Sequence, residues 1–125
     1  MARTIFGEAR GESTNGQVAV AWVIRNRADQ PSWWGRTITE VCRKPFQFSC
    51  WDPGDPNLHV IQAASESDPH FLKALGVAAL VILRELSDPT GGATHYVATS
   101  IEPPDWTKQL VPTAHIGGHQ FYREP

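Results

Sequence analysis

The sequence predicts one α+β domain, mainly helical with a small antiparallel sheet beside the helices, and three observations carry that expectation. Apolar residues recur at helical spacing in the opening residues and again after Asp68-Pro69. The run Val18-Ala19-Val20-Ala21-Trp22-Val23-Ile24 is apolar on every side and continues into Arg25-Asn26-Arg27-Ala28, as a helix packed through a core does. Short β-like pieces separated by turns then fill the carboxy-terminal stretch. A chain of 125 residues is the size of a single domain with a single core.

In chain order, residues 2 to 9 form the first expected helix, with Ala2, Ile5, Phe6 and Ala9 at i, i+3, i+4 and i+7. Glu8 falls at the edge of that stripe. Spacing by itself reads such a glutamate as solvated helix surface. The sharper reading is a half-desolvated carboxyl whose pKa rises, which a general acid near neutral pH needs. Gly11 and Glu12-Ser13-Thr14-Asn15-Gly16 read as a turn with candidate N-caps, leading into a core helix of about three turns. Residues 30 to 58 read as loops dense in aromatics, among them Trp33-Trp34-Gly35 and Phe46-Gln47-Phe48-Ser49-Cys50-Trp51, with a short Thr37–Val41 segment between. Such rings suit the faces of sugars and equally plug small cores, so both roles stay open.

Asp68 as N-cap with Pro69 at the first helical position opens a long amphipathic helix. Leu72, Leu75, Ala79, Ile82, Leu83 and Leu86 mark its expected buried face, and it should end near Leu86 to Ser87. Asp88-Pro89-Thr90-Gly91-Gly92 is turn chemistry, Ala93-Thr94-His95-Tyr96-Val97 reads as a strand, and the stretch from Pro103 to Tyr122 alternates turns with β-like residues. Three helices and a small sheet are therefore expected.

Composition narrows the function. With 11 Lys plus Arg against 13 Asp plus Glu, the net charge is -2, and no basic stripe suggests nucleic acid as a partner. The longest apolar run, Val18 to Ile24, is too short to span a bilayer, and no leader-like amino terminus is present, so no membrane partner is expected. Cys42 and Cys50 could pair, and their spacing leaves the redox state open. No metal or cofactor is expected. His115 and His119 are separated by Gly117-Gly118, which breaks the helix that would align them, and the cysteines do not form a C-x-x-C knuckle. Neither a G-x-S-x-G elbow nor a P-loop occurs.

Glycosidic cleavage remains, because it needs little more than one protonated carboxyl beside the leaving oxygen. Glu8 can supply it. Glu12 and Asp52 are candidate second carboxylates for a water-dependent hydrolysis. A lytic route needs none: the sugar's own 6-hydroxyl attacks, and Glu8 first gives and then takes the proton.

Five ordered blocks now bring a family into view. They are Phe6-Gly7-Glu8-Ala9-Arg10-Gly11-Glu12, Gly16–Ala21 with Ile24-Arg25-Asn26-Arg27, Phe46–Trp51, Asp88–Tyr96, and Trp106 followed by Ile116-Gly117-Gly118-His119-Gln120-Phe121-Tyr122. Together they resemble the SleB/CwlJ-type cell-wall hydrolases of bacteria, their spores and their phages. The resemblance implies a compact lysozyme-related fold and bacterial peptidoglycan as substrate. It implies cleavage between N-acetylmuramic acid and N-acetylglucosamine with a 1,6-anhydro product, and Glu8 as the single catalytic residue. It also implies that Gln47, Phe48, Ser49, Trp51, His95 and Tyr96 line the groove, with Trp106 and His119 near it. His95 and His119 equally suit a role holding glycine-rich turns. Glu12 is expected to cap its turn or to orient Arg10. The export leader and wall-binding domain typical of spore-type relatives are not found in the 125 residues, so the expectation is a minimal enzyme, a phage endolysin or part of a longer chain, with the endolysin favoured; a monomer is expected. A hydrolysing muramidase or glucosaminidase and a non-catalytic glycan-binding wall protein are the alternatives.

Overall fold

A computed structural model describes all 125 residues. Five α-helices, α1 (Ala2–Ala9), α2 (Thr14–Asp29), α3 (Ile38–Arg43), α4 (Asn57–Ala63) and α5 (Pro69–Ile82), precede three strands, β1 (His95–Ala98), β2 (Val111–Ile116) and β3 (His119–Arg123). Single 3₁₀ turns lie at Ser49–Trp51 and Asp105–Gln109. The sheet is antiparallel in the order β1-β3-β2. The α+β expectation holds, with five helices in place of three.

Helix α2 is apolar all round because it has partners on two sides. Val18, Trp22 and Ile24 join a large cluster with Ile5, Phe6, Ile61, Phe71 and Val81 from the other helices. Ala19 and Val23 face Ala93 and Phe121 of the sheet. A helix hydrophobic on one stripe needs one neighbour; this one spans a whole core. It runs 16 residues, longer than the apolar run suggests, because Ser13 Oγ accepts from the Gly16 amide at 3.2 Å and starts it early.

Helix α5 begins where expected, with Asp68 Oδ1 accepting from the His70 amide at 2.8 Å. Its buried face is different. Phe71, Ala74, Val77, Ala78 and Val81 point inward, while Leu72 and Leu83 are 53% and 68% exposed. The helix also stops at Ile82, short of Leu86. Arg84 takes a left-handed φ of 58°, and the Glu85 amide reaches back to the Leu80 carbonyl at 2.8 Å, closing the end as a Schellman turn. The Arg84 guanidinium then grips Asp29 at 2.8 and 3.0 Å, so the stop is fixed by a tertiary ion pair at the end of α2.

No element was expected at residues 57–63, where α4 forms. Its start is held by Asp55 Oδ1, which accepts from the Asn57 amide at 2.8 Å. The segment at residues 37–41 becomes α3, capped by Thr37 Oγ1 at 3.1 Å from the Glu40 amide. Cys42 and Cys50 are both buried free thiols.

Two of the sequence blocks meet in space. Asp88 gathers its own turn, accepting from the Thr90 and Gly92 amides at 2.7 and 3.0 Å, while Asn26 of α2 donates to Asp88 at 3.0 Å and to the Ala93 carbonyl at 2.9 Å. Next along α2, Arg27 donates to the Thr94 carbonyl at 2.6 Å. These bonds set the angle at which β1 leaves the turn and carry His95 and Tyr96 toward the helices.

Candidate active site

A cavity of about 860 Å³ opens where α1, α2, the 46–49 loop, β1 and the 105–110 turn converge, and Glu8 lines it. Gln47, Phe48, Ser49, His95, Tyr96 and Trp106 line it too, so six of the eight expected groove residues come together with the carboxyl.

Two do not. Trp51 turns the other way: its indole N–H donates to Thr4 Oγ1 at 2.9 Å, and Arg43 stacks over its ring at 4.3 Å, in a separate cleft of about 810 Å³. The 3₁₀ turn at 49–51 points Ser49 and Trp51 to different sides, which adjacency in sequence does not reveal. His119 lies behind the wall of the cavity, its ring 4.9 Å from Tyr96 and its Nδ1 3.1 Å from Glu12 Oε1. Glu12 therefore meets the β2–β3 hairpin and does not orient Arg10. A Cβ on Gly117 would stand 2.7 Å from the Glu12 carboxylate, so a glycine there lets the acid tuck beneath the turn. Arg10 instead donates to the Phe6 carbonyl at 3.0 Å and to Asn57 Oδ1 at 2.7 Å.

Burial pushes the Glu8 carboxyl up to about 7, and the negative charges of Asp55 and Asp52 push the same way. The backbone N–H groups of Cys50 and Ser49 act in the opposite direction and favour the carboxylate. The carboxyl is thus poised between its two forms near neutral pH. Gly7 makes this approach possible: a Cβ there would stand 2.7 Å from Cys50 Sγ and 2.9 Å from Ile61. Burial also lifts the neighbouring Cys50 thiol to about 12, leaving it uncharged beside the acid.

Two titratable neighbours in the lining stay uncharged near neutral pH. His95 is driven down to about 4 by burial and by the Arg27 charge, so its ring is neutral. It sits 2.9 Å from Thr94 Oγ1, with Trp34 and Trp106 at 5.9 and 5.6 Å. Burial and the Glu8 charge hold the Tyr96 phenol well above its ordinary value, so it keeps its proton. At the rim, Trp33, Phe46 and Trp106 are 53%, 83% and 46% exposed, a set of free aromatic faces. Phe46 has a φ of 66°, a strained conformation for a non-glycine residue, and it holds the ring outward.

Trp33 and Phe46, named from the sequence only as members of aromatic loops, line the cavity as well, and so do Arg27, Gln109, Leu110 and Glu124, which were not named as site residues. Arg27 had a signal, since it is a charge at the end of an otherwise apolar helix. Gln109, Leu110 and Glu124 had none. Neither Glu12 nor Asp52 lines the cavity; its other side-chain carboxylate is the exposed Glu124. No three His, Cys, Asp or Glu side chains gather as a metal site, and no helix is long and apolar enough to cross a membrane.

Comparison with known proteins shows the family and the fold that the chain shares. A family profile described as Cell Wall Hydrolase matches residues 11–122. A spore cortex-lytic enzyme of Halalkalibacterium halodurans is 32% identical over 121 residues, covering 97% of this chain and 33% of that protein. One from Bacillus cereus is 31% identical over the same length, covering 42% of its chain. The chain thus spans well under half of these relatives. Among solved structures, the catalytic domain of the germination-specific lytic transglycosylase SleB from Bacillus anthracis superposes with a TM-score of 0.77 at 30% identity, over 98% of this chain and 90% of that one. The Bacillus cereus SleB catalytic domain gives 0.71 at 27% identity, over 98% and 86%.

Proposed function

This chain belongs to the cell wall hydrolase family of SleB/CwlJ type and has its lysozyme-related fold, and from that premise we propose that it cleaves peptidoglycan strands between N-acetylmuramic acid and N-acetylglucosamine as a lytic transglycosylase. Glu8 is the single catalytic carboxyl in this reading, and the 125 residues act as one catalytic domain. The observation that carries it is the pKa of Glu8, raised to about 7 inside a cavity rimmed by aromatic faces. Since the matched profile begins at residue 11, the role of Glu8 rests on geometry and chemistry.

The reaction uses the carboxyl twice. Protonated Glu8 gives its proton to the glycosidic oxygen, and the bond from that oxygen to C1 of muramic acid breaks with an oxocarbenium-like transition state. The 6-hydroxyl oxygen of the same sugar bonds to C1, and the Glu8 carboxylate takes up the hydroxyl proton. The products are a free N-acetylglucosamine end and a 1,6-anhydromuramic end, with no water consumed. A group that must serve as acid and then as base works best with a pKa near the operating pH, which the burial of Glu8 provides. Glu12 is engaged with His119, which supports a mechanism without it.

Mass spectrometry of muropeptides released from purified sacculi tests this. Anhydromuramic ends are expected, and Glu8→Gln should lower turnover by roughly 10²- to 10⁴-fold with sacculus binding retained. Reducing ends in place of anhydro ends would leave a hydrolase, for which Glu124 is the second carboxylate in the cavity. Unchanged behaviour of Glu8→Gln would leave a glycan-binding protein.

A further inference from the structure

Arg27 is the only charged residue among the buried ones, 6% exposed, and no carboxylate pairs with it. Its Nε donates to the Thr94 carbonyl at 2.6 Å, and Nη1 makes a long contact of 3.4 Å to Gln47 Oε1. Nη2 has no acceptor in the protein. Trp33, Trp34 and Phe48 surround the guanidinium with ring centroids 5.4 to 5.9 Å away. Burial lowers its pKa to about 10, which still leaves it charged at neutral pH.

A buried cation without a counter-charge is costly, and aromatic faces offset only part of that cost. Holding the Thr94 carbonyl does not require a charge, since a neutral donor would serve. What a guanidinium adds is a planar fork for an anionic oxygen pair, and Arg27 lines the same cavity as Glu8. A peptidoglycan strand stripped of its peptides offers one ionised group per disaccharide, the lactyl carboxylate on O3 of muramic acid. Its hydroxyls and acetamido groups are neutral. That carboxylate and the bond cleaved at C1 belong to the same sugar ring.

We infer that Arg27 is a specificity-determining residue that binds the lactyl carboxylate of peptide-free muramic acid in the sugar site beside Glu8. The assignment rests on the peptidoglycan reading above. It makes bare strands, the product of an amidase that removes the stem peptide, better ligands than strands whose lactyl group is tied up as an amide. The reaction that precedes this one is then an amide hydrolysis.

Binding separates the two claims. The Glu8→Gln protein, which leaves strands intact, is titrated with peptide-free strands bearing lactyl carboxylates and with the same strands converted to methylamides. The carboxylate strands should bind more tightly by on the order of tenfold, and the difference should shrink with added salt. Adding Arg27→Met should abolish the difference, and Arg27→Lys should keep part of it. Equal affinity for acid and amide strands overturns the assignment, as does a difference that survives in Arg27→Met. If circular dichroism shows that Arg27→Met is unfolded, the acid-to-amide ratio in the Arg27 and Arg27→Lys proteins decides. Failure of both strands to bind sinks the peptidoglycan reading, and the role of Arg27 falls with it.

Discussion

At the scale of single residues, Glu8 and His95 make opposite demands on pH. Between 4.5 and about 7 the folded protein keeps a proton on Glu8 that the unfolded chain releases, so this group's contribution to stability falls as pH rises. Between 6.5 and about 4 the unfolded chain protonates His95 while the fold keeps its ring neutral, so stability falls as pH drops. Glu8→Gln removes the first slope and exposes the second. Unfolding free energies from urea titrations at pH 4.5, 5.5 and 6.5 should therefore fall on acidification in the variant, by about 1–2 kcal/mol once solvent screening at half-buried His95 is allowed for. The same variant should be stabilised at pH 8 by roughly 2–3 kcal/mol, the relief of holding a desolvated carboxylate. Glu8 itself was legible in the sequence only as a position on a helix edge. Its raised pKa is set first by burial in the folded chain and then by the 49–50 backbone, Asp55 and Asp52, more than forty residues away, and no local pattern encodes that.

At the scale of elements, the contact of α1 with the 3₁₀ turn and α4 depends on the missing side chain of Gly7. Gly7→Ala puts a methyl within 2.7 Å of Cys50 and should cost about 1–3 kcal/mol in denaturant unfolding, with a further loss of turnover as the Ser49 and Cys50 amides move away from Glu8. The register of α5 gives a sharper comparison. Leu83→Lys should shift stability by no more than about 0.5 kcal/mol, whereas Phe71→Ala, which removes an edge-on contact to Phe6 at 5.7 Å, should cost about 3–5 kcal/mol. Leucine spacing suggested the reverse. Leu72, Leu75, Ala79 and Leu83 do share one face, but the neighbouring face of Phe71, Ala74, Val77, Ala78 and Val81 has small residues that let α1 and α2 pack close. Two apolar stripes on one helix cannot be ranked without the partner. For the same reason α4 was invisible: seven residues carry too little periodicity, and its single buried side chain, Ile61, gives no stripe.

At the scale of the whole molecule, wall binding should depend only weakly on ionic strength for uncharged glycan, because a net charge of -2 offers no bulk attraction to anionic polymers. Binding of the methylamide strands measured across a salt series checks this. The melting temperature should not respond to reductant, since both cysteines are thiols. The fold class and most of the groove were legible because five sequence blocks converge on one cavity. What escaped, namely Trp51, His119 and Arg27, turned on side-chain direction. The dependence of Glu8 on distant backbone has one more consequence, for the chain as it is made. Helix α1 is synthesised before residues 49–55, yet until they follow its glutamate is an ordinary ionised carboxylate, inert toward glycosidic bonds. Reactivity is acquired only when residues 49–55 have docked on Gly7 and β1 has come into position, so the activity of any sample is also a count of its correctly folded molecules.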